Sequence, residues 1–448
     1  MLVVLLLWPT TLLAHAKLVR STPAAGASVS APPRMVHLVF SESPQVALSI
    51  LKMVSANGDT IALTGLRAEP DDPNTLVADV PSSVGSGSWR IVWRIAARDG
   101  HPRQGTIDFS IATSAAASTI QPGIDSVATP GPALPPIAED EEPNTMAVGG
   151  ALASIAARWL AFLSIFVLIG VVAFKFGVLN RIGAAPADTF IQIASANAAA
   201  LGIAASAGLL LGVALRLARE SADMPDISLS SMLFASTWGL SILAQMVVSV
   251  IAALAFRAAH SGSDSSRSNG WRAALVAAVV LAVTPALSGH AASSELPIVS
   301  IIADVIHVAA GSAWLGTLSV IVIVGISAAI KTPDSVRPGS RVASLVNTFS
   351  PIALTCGGLM VLTGTIASVF HLKHVRDMWT TPYGVALSLK LLFVVMLFGA
   401  GAWNWRRMKP RLTGDDAVVS MRSMATFELV LATIVLGITA ILVALELP

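Results

Sequence analysis

Beyond residue 150 the chain is dominated by apolar stretches, each long enough to cross the hydrocarbon core of a bilayer, which takes about 20 helical residues. Eight are legible, at approximately 151–174, 191–215, 232–256, 271–288, 298–326, 343–370, 384–405 and 424–446. The fourth is the shortest and carries Pro285 near its end. Lipid offers backbone N–H and C=O groups no water to bond, so segments of this kind satisfy themselves internally as helices. The C-terminal two thirds are therefore expected to form an all-α polytopic membrane domain of about eight transmembrane helices. Composition agrees: 54% of the 448 residues are hydrophobic and 12% charged, against about 25% charged in a soluble domain. A net charge of +2 leaves no basic face for nucleic acid.

The cations set the orientation. The connections after helices one, three, five and seven hold thirteen Lys and Arg, and the opposite ends hold four, at Arg216, Arg219, Lys373 and Arg376. Short loops rich in Lys and Arg stay in the cytoplasm. The chain is thus expected in a bacterial cytoplasmic membrane with its N-terminal domain on the periplasmic side. The small-residue pattern GLLLG at 208–212 and, more loosely, GGLMVLTG at 357–364 predict close helix packing.

Residues 1–14 read as a signal peptide, an apolar run ending at Ala14 just before His15. An uncleaved anchor is the alternative, because no cation precedes the run and Leu12 stands at the −3 position. Residues 15–112 hold short runs rich in Val, Ile and Phe (MVHLVF, ALSILKMV, TLVADV, SWRIVWRIA, GTIDFSIA) separated by turn signals such as ANGD and SVGSGS. This spacing predicts an all-β sandwich of Greek-key, cupredoxin- or immunoglobulin-like type. Trp89 and Trp93 should share a face with Ile91 and Ile95. Residues 113–146 form a linker of Pro, Ala and Ser, and 147–448 are the membrane domain.

With this orientation seven of the eight histidines lie on or near the outer side: His15, His37, His101, His290, His307, His371 and His374. His260 is cytoplasmic, and His37 reads as a solvated strand residue. Neutral imidazole suits copper and zinc, among other metals. The single cysteine, Cys356, rules out an internal disulfide and a Cys-based zinc site within one chain. Cleavage before His15 would place an amine and an imidazole on one residue. Asp99 and His101, two apart in RDGHPRQG, point the same way in extended chain. The His15 amine, His15 and His101 then supply three nitrogens, with Asp99 near the axial direction, a set suited to Cu(II).

The stretches HAKLVRSTPAAGASVSAPPRMVHLVFSE and GSWRIVWRIAARDGHPRQGTIDFSI resemble CopC, the periplasmic copper-binding β-sandwich. That resemblance implies a Cu(II) histidine brace at His15, Asp99 and His101. CopC proteins with a Met-rich Cu(I) site have more methionine than Met35 and Met53 provide here. SGHAASS around His290, ADVIHVAAGSAWLGTL from Ala303 and TPYGVALSLKLLF from Thr381 resemble CopD, the membrane family fused to CopC or encoded beside it. A CopC–CopD fusion implies copper homeostasis or resistance, with copper moved across the membrane, by the family's habit inward.

Charges placed in hydrocarbon cost roughly 2.5–3.5 kcal/mol each on insertion scales, so they are paired or functional. An outer layer holds Arg158, His290, Asp304, His307 and Lys390; an inner layer holds Asn197, Asn404 and Glu428. Asp304 and His307, three apart on one helix face, make with His290 a candidate copper-accepting site. An Arg158–Asp304 ion pair is the plainer alternative. Cys356 and Met360, four apart, offer the soft sulfurs that select Cu(I), and Met424 with Glu428 is a candidate exit pair. No phosphate-binding loop is present, so ATP is not an expected partner. The expected partners are copper ions, the lipid bilayer and other periplasmic copper carriers. Three alternatives stay open: a haem-binding or copper-reducing redox protein using His290 and His307, a periplasmic copper buffer, and a sensor. An enzyme built on the brace is disfavoured, because axial Asp99 would crowd an oxygen site.

Overall fold

A computed structural model describes residues 17–96, 102–112, 145–182, 188–287, 297–332, 336–372, 374–407 and 415–445. It holds a β unit and a helical unit, taken here in turn.

The β unit has nine strands: β1 (Leu18–Thr22), β2 (Ser28–Val29), β3 (Met35–Phe40), β4 (Gln45–Ser55), β5 (Thr60–Ala62), β6 (Thr64–Glu69), β7 (Asp72–Asp79), β8 (Gly87–Ala96) and β9 (Pro102–Ile111). They form a four-stranded sheet in the order β1-β3-β7-β6 and a five-stranded sheet in the order β2-β9-β8-β4-β5. The pairings are antiparallel except β2 with β9. The result is the β-sandwich the sequence predicts. Alternation along the strands builds its core: Val36, Leu38 and Phe40 from one sheet meet Trp89, Ile91, Trp93 and Ile95 from the other. Phe40 packs edge-on against Trp93 with ring centroids 5.2 Å apart. Opposite Trp93 in the register stands Gly105, where a Cβ would overlap the indole ring. Gly58, at φ +89° in the ANGD turn, supplies the left-handed residue that lets β4 fold back onto β5. The β8–β9 register runs as far as Ala96 opposite Pro102. Asp99 and His101 fall in the connection between these strands and, like His15, lie outside the described residues.

The helices are α1 (Thr145–Ala173), α2 (Thr189–Asp223), α3 (Leu229–Phe234), α4 (Thr237–Ser261), α5 (Asp264–Leu287), α6 (Pro297–Gly311), α7 (Thr317–Val320), α8 (Ile326–Lys331), α9 (Pro338–His371), α10 (Asp377–Thr380), α11 (Pro382–Arg407) and α12 (Asp415–Leu442). Two π-helical segments, Ser312–Gly316 and Ile321–Gly325, join α6, α7 and α8 into one rod. Among the described residues eight helices are long and apolar enough to cross a membrane, the fifth being Ile298–Lys331. The third crossing begins later than its hydropathy suggests, because Ser236 ends the preceding turn and caps α4 by accepting from the Gly239 N–H at 2.9 Å. The fourth begins earlier, since the polar turns after Asp264 are helical too.

The bundle is held by close approaches at glycine. A Cβ on Gly208 would lie 2.7 Å from Ser164 Oγ, and one on Gly212 2.9 Å from the Ala157 carbonyl oxygen, so the 208–212 pattern seats α2 against α1 as expected. A tighter contact joins the first and fifth crossings. Cβ atoms on Gly170 and Gly316 would each overlap backbone of the other helix. Thr317 Oγ1 donates to the Gly170 carbonyl there at 3.4 Å. The fifth crossing is 72% buried and the sixth 11%, which makes the α6–α8 rod the centre of the unit.

Gly316→Leu is expected to destabilise the folded bundle by at least about 1–3 kcal/mol through overpacking, visible as a lower melting temperature of the detergent-solubilised protein. Gly358→Leu, at a site with open space around it, should leave that temperature unchanged.

Candidate metal centre

Asp304 and His307 lie on α6, and their three-residue spacing sets both on one face. The neighbour that receives His307 is α9. His307 Nδ1 lies 2.9 Å from Thr363 Oγ1. The Thr363 hydroxyl directs its own proton to the Leu359 carbonyl at 2.7 Å, so its oxygen is the acceptor and Nδ1–H the donor. A neutral imidazole has one N–H. Nε2 is therefore left with its lone pair, the form in which histidine binds metals. Among the described residues no hydrogen bond reaches Nε2.

Lys390 of α11 faces this corner closely enough for its charge to act on both Asp304 and His307. The structure thus gathers Asp304, His307 and Lys390 of the expected outer layer. Arg158 is buried at 3% exposure on α1. His290 lies outside the described residues, and among those described no three His, Cys, Asp or Glu side chains converge as a metal site.

Met360 enters the same interface from α9. Its Sδ would lie 3.2 Å from a Cβ on Gly311, so the missing side chain of Gly311 makes room for the sulfur. Gly311 follows His307 by four residues, one helical turn. Met360 therefore shares the α6–α9 interface with His307, at the next level along. The sequence pairs Met360 with Cys356 on its own helix; nothing in it announces which other helix the sulfur meets. Cys356 is a buried free thiol, and Gly357 beside it packs near Phe398 and Trp314.

The inner layer is smaller than expected. Glu428, 4% exposed, accepts from Asn404 Nδ2 at 3.0 Å. Asn197 is exposed on α2 and takes no part. A cavity of about 520 Å³ is lined by Glu428, Asn404, Ser350, Trp314 and Met421, among others. Of the methionines on α12, Met421 is on its wall. At the other end of α9, His374 is exposed and its backbone N–H donates to Asp377 Oδ2 at 2.8 Å.

Comparison with known proteins bears on both units. The family model "CopC domain" matches residues 18–112, "Copper resistance protein D-like, N-terminal domain" matches 149–298, and "Copper resistance protein D" matches 343–442. Copper transport protein CutJ of Bacillus subtilis (strain 168) is 26% identical over 421 residues, covering 92% of this chain and 72% of CutJ. Copper resistance protein C of Pseudomonas syringae pv. tomato is 32% identical over 108 residues, 22% of this chain and 81% of that protein. The crystal structure of CopC from Methylosinus trichosporium OB3b matches at 27% identity and a TM-score of 0.22, covering 23% of this chain and all of that one. A copper-handling membrane protein of many crossings, with a β-sandwich joined at its N-terminus, is the class these features define. The chain belongs to the CopC–CopD family of copper resistance and transport proteins, as a fusion of the two domains.

Thr363→Val removes the acceptor that fixes the His307 tautomer. It is expected to weaken binding of Ag(I), a redox-inert stand-in for Cu(I), about 10- to 100-fold in a competition titration. Thr365→Val should leave it unchanged, because Thr365 is exposed and bonds the carbonyl of its own helix at Val361.

Proposed function

We propose that this protein captures Cu(II) on the periplasmic side and carries copper inward across the bacterial cytoplasmic membrane. In this reading residues 1–14 are removed as a signal peptide. The 15–112 domain then binds Cu(II) through the freed amine and imidazole of His15, with His101 and Asp99. Residues 113–146 tether it to the membrane domain of 147–448. That domain accepts the metal at His307 and Asp304, with His290, and passes it along the sulfurs of Met360 and Cys356. Thioether and thiol favour Cu(I), so one electron from an outside donor enters between capture and passage. Other periplasmic copper carriers can deliver to the same entry.

The observation that carries this reading is His307: a neutral imidazole within an apolar helix bundle, with Nδ1 committed to Thr363 and Nε2 bearing a lone pair. Asp304 adds an anion beside the incoming cation, and Lys390 balances it while the site is empty. The name of CutJ as a copper transport protein, over an alignment spanning 92% of this chain, supports transport.

Two measurements test the reading. The mass of the mature N-terminal peptide is expected to begin at His15; a start elsewhere, or a retained Met1, removes the amine ligand and with it the capture site. Cellular copper uptake is expected to be lost in His307→Ala while Cu(II) binding by the N-terminal domain persists. Uptake unchanged by that substitution rejects the membrane site.

A further inference from the structure

Glu428 stands apart from the copper-accepting corner and has a setting of its own. It is 4% exposed, and its hydrogen-bond partner is the uncharged amide of Asn404. It lines the 520 Å³ cavity together with residues of α9, α11 and the fifth crossing. The other charged side chain on that wall is Arg406 of α11, which is exposed; among the described residues no ion pair joins it to Glu428. The α9 and fifth-crossing residues on the wall, such as Ser350 and Trp314, carry no titratable group, and α12 adds Met421.

An ionised carboxylate enclosed in a membrane bundle without a cation carries a large desolvation cost, and a proton removes it. Asn404 suits either state. Its N–H₂ donates to a carboxylate, and after a half-turn of the amide its oxygen accepts from a carboxylic acid. The cavity gives the proton a way out. Trp405 and Arg406, exposed near the end of α11, place an opening of the cavity at the cation-rich end.

We propose that Glu428 is the proton-exchange site of the membrane domain, holding a proton at rest and releasing it through this cavity as a copper cation passes. The exchange balances: the carboxylic acid and a monovalent cation give a carboxylate paired with that cation, plus one free proton. The buried site keeps the same net charge throughout. The coupling rests on the transport reading above; the proton site itself does not.

The test uses the full-length protein in vesicles, as wild type, Glu428→Gln and Glu428→Asp. Infrared spectra of the wild type are expected to contain a protonated-carboxyl band that shifts in D₂O, lost in E428Q and kept in E428D. Should E428Q fail to accumulate, Asn404→Leu is expected to shift the same band. In Cu(I) uptake, an imposed pH gradient should change the rate several-fold in wild type and E428D, and E428Q should lose the response. A band that E428Q or N404L leaves untouched, or a gradient response that E428Q retains, overturns the proposal. Wild-type protein that moves no copper overturns the transport reading instead, and the infrared difference then decides the proton site alone.

Discussion

The membrane domain is organised by one contact, the crossing of the first and fifth helices at Gly170 and Gly316. Two backbones meet there with no side chain between them. In lipid such approaches carry helix association, because dispersion and short polar contacts do the work that water-driven burial does elsewhere. The crossing fixes the rod that bears Asp304 and His307. It also lies next to the π-helical turn Ser312–Gly316, a wider coil that re-aims the helix after Gly311. Position and direction of Asp304 and His307 thus follow from glycines that carry no functional side chain.

Several of the polar groups enclosed in the bundle have a specific neighbour. His307 gives its one proton to Thr363, Glu428 takes one from Asn404, and Lys390 faces Asp304. Polar groups are costly in hydrocarbon when left alone. A lone pair at Nε2 and a sulfur at Met360 stand along the α6–α9 interface, and the proposed copper path rests on them.

Much of this was legible in the sequence, and the gaps have physical causes. The eight crossings could be read because spanning length and apolarity are properties of one segment. In the sandwich the inner strands β3, β4, β7, β8 and β9 were visible, while β1, β2, β5 and β6 were not. Those four are the edges of the two sheets; paired on one side only, they show little alternation. GLLLG announced the α1–α2 contact, but Gly170 and Gly316 stand alone in sequence and meet only in space. The partnership of Met360 with His307 was hidden for the same reason, since it depends on which helix lies beside which. Within the fifth crossing, two π segments each shift the face by one residue, so a single helical period cannot be followed along it. The brace proposed at His15, Asp99 and His101 rests on spacing and resemblance, these residues lying outside those described.

The sixth crossing is 11% buried, yet α9 reaches both polar stations. Thr363 near one end holds His307, and Ser350, thirteen residues away and roughly 20 Å along the axis, lines the cavity of Glu428. Because a single helix lines both stations, a displacement of α9 would alter the surroundings of His307 and of Glu428 together.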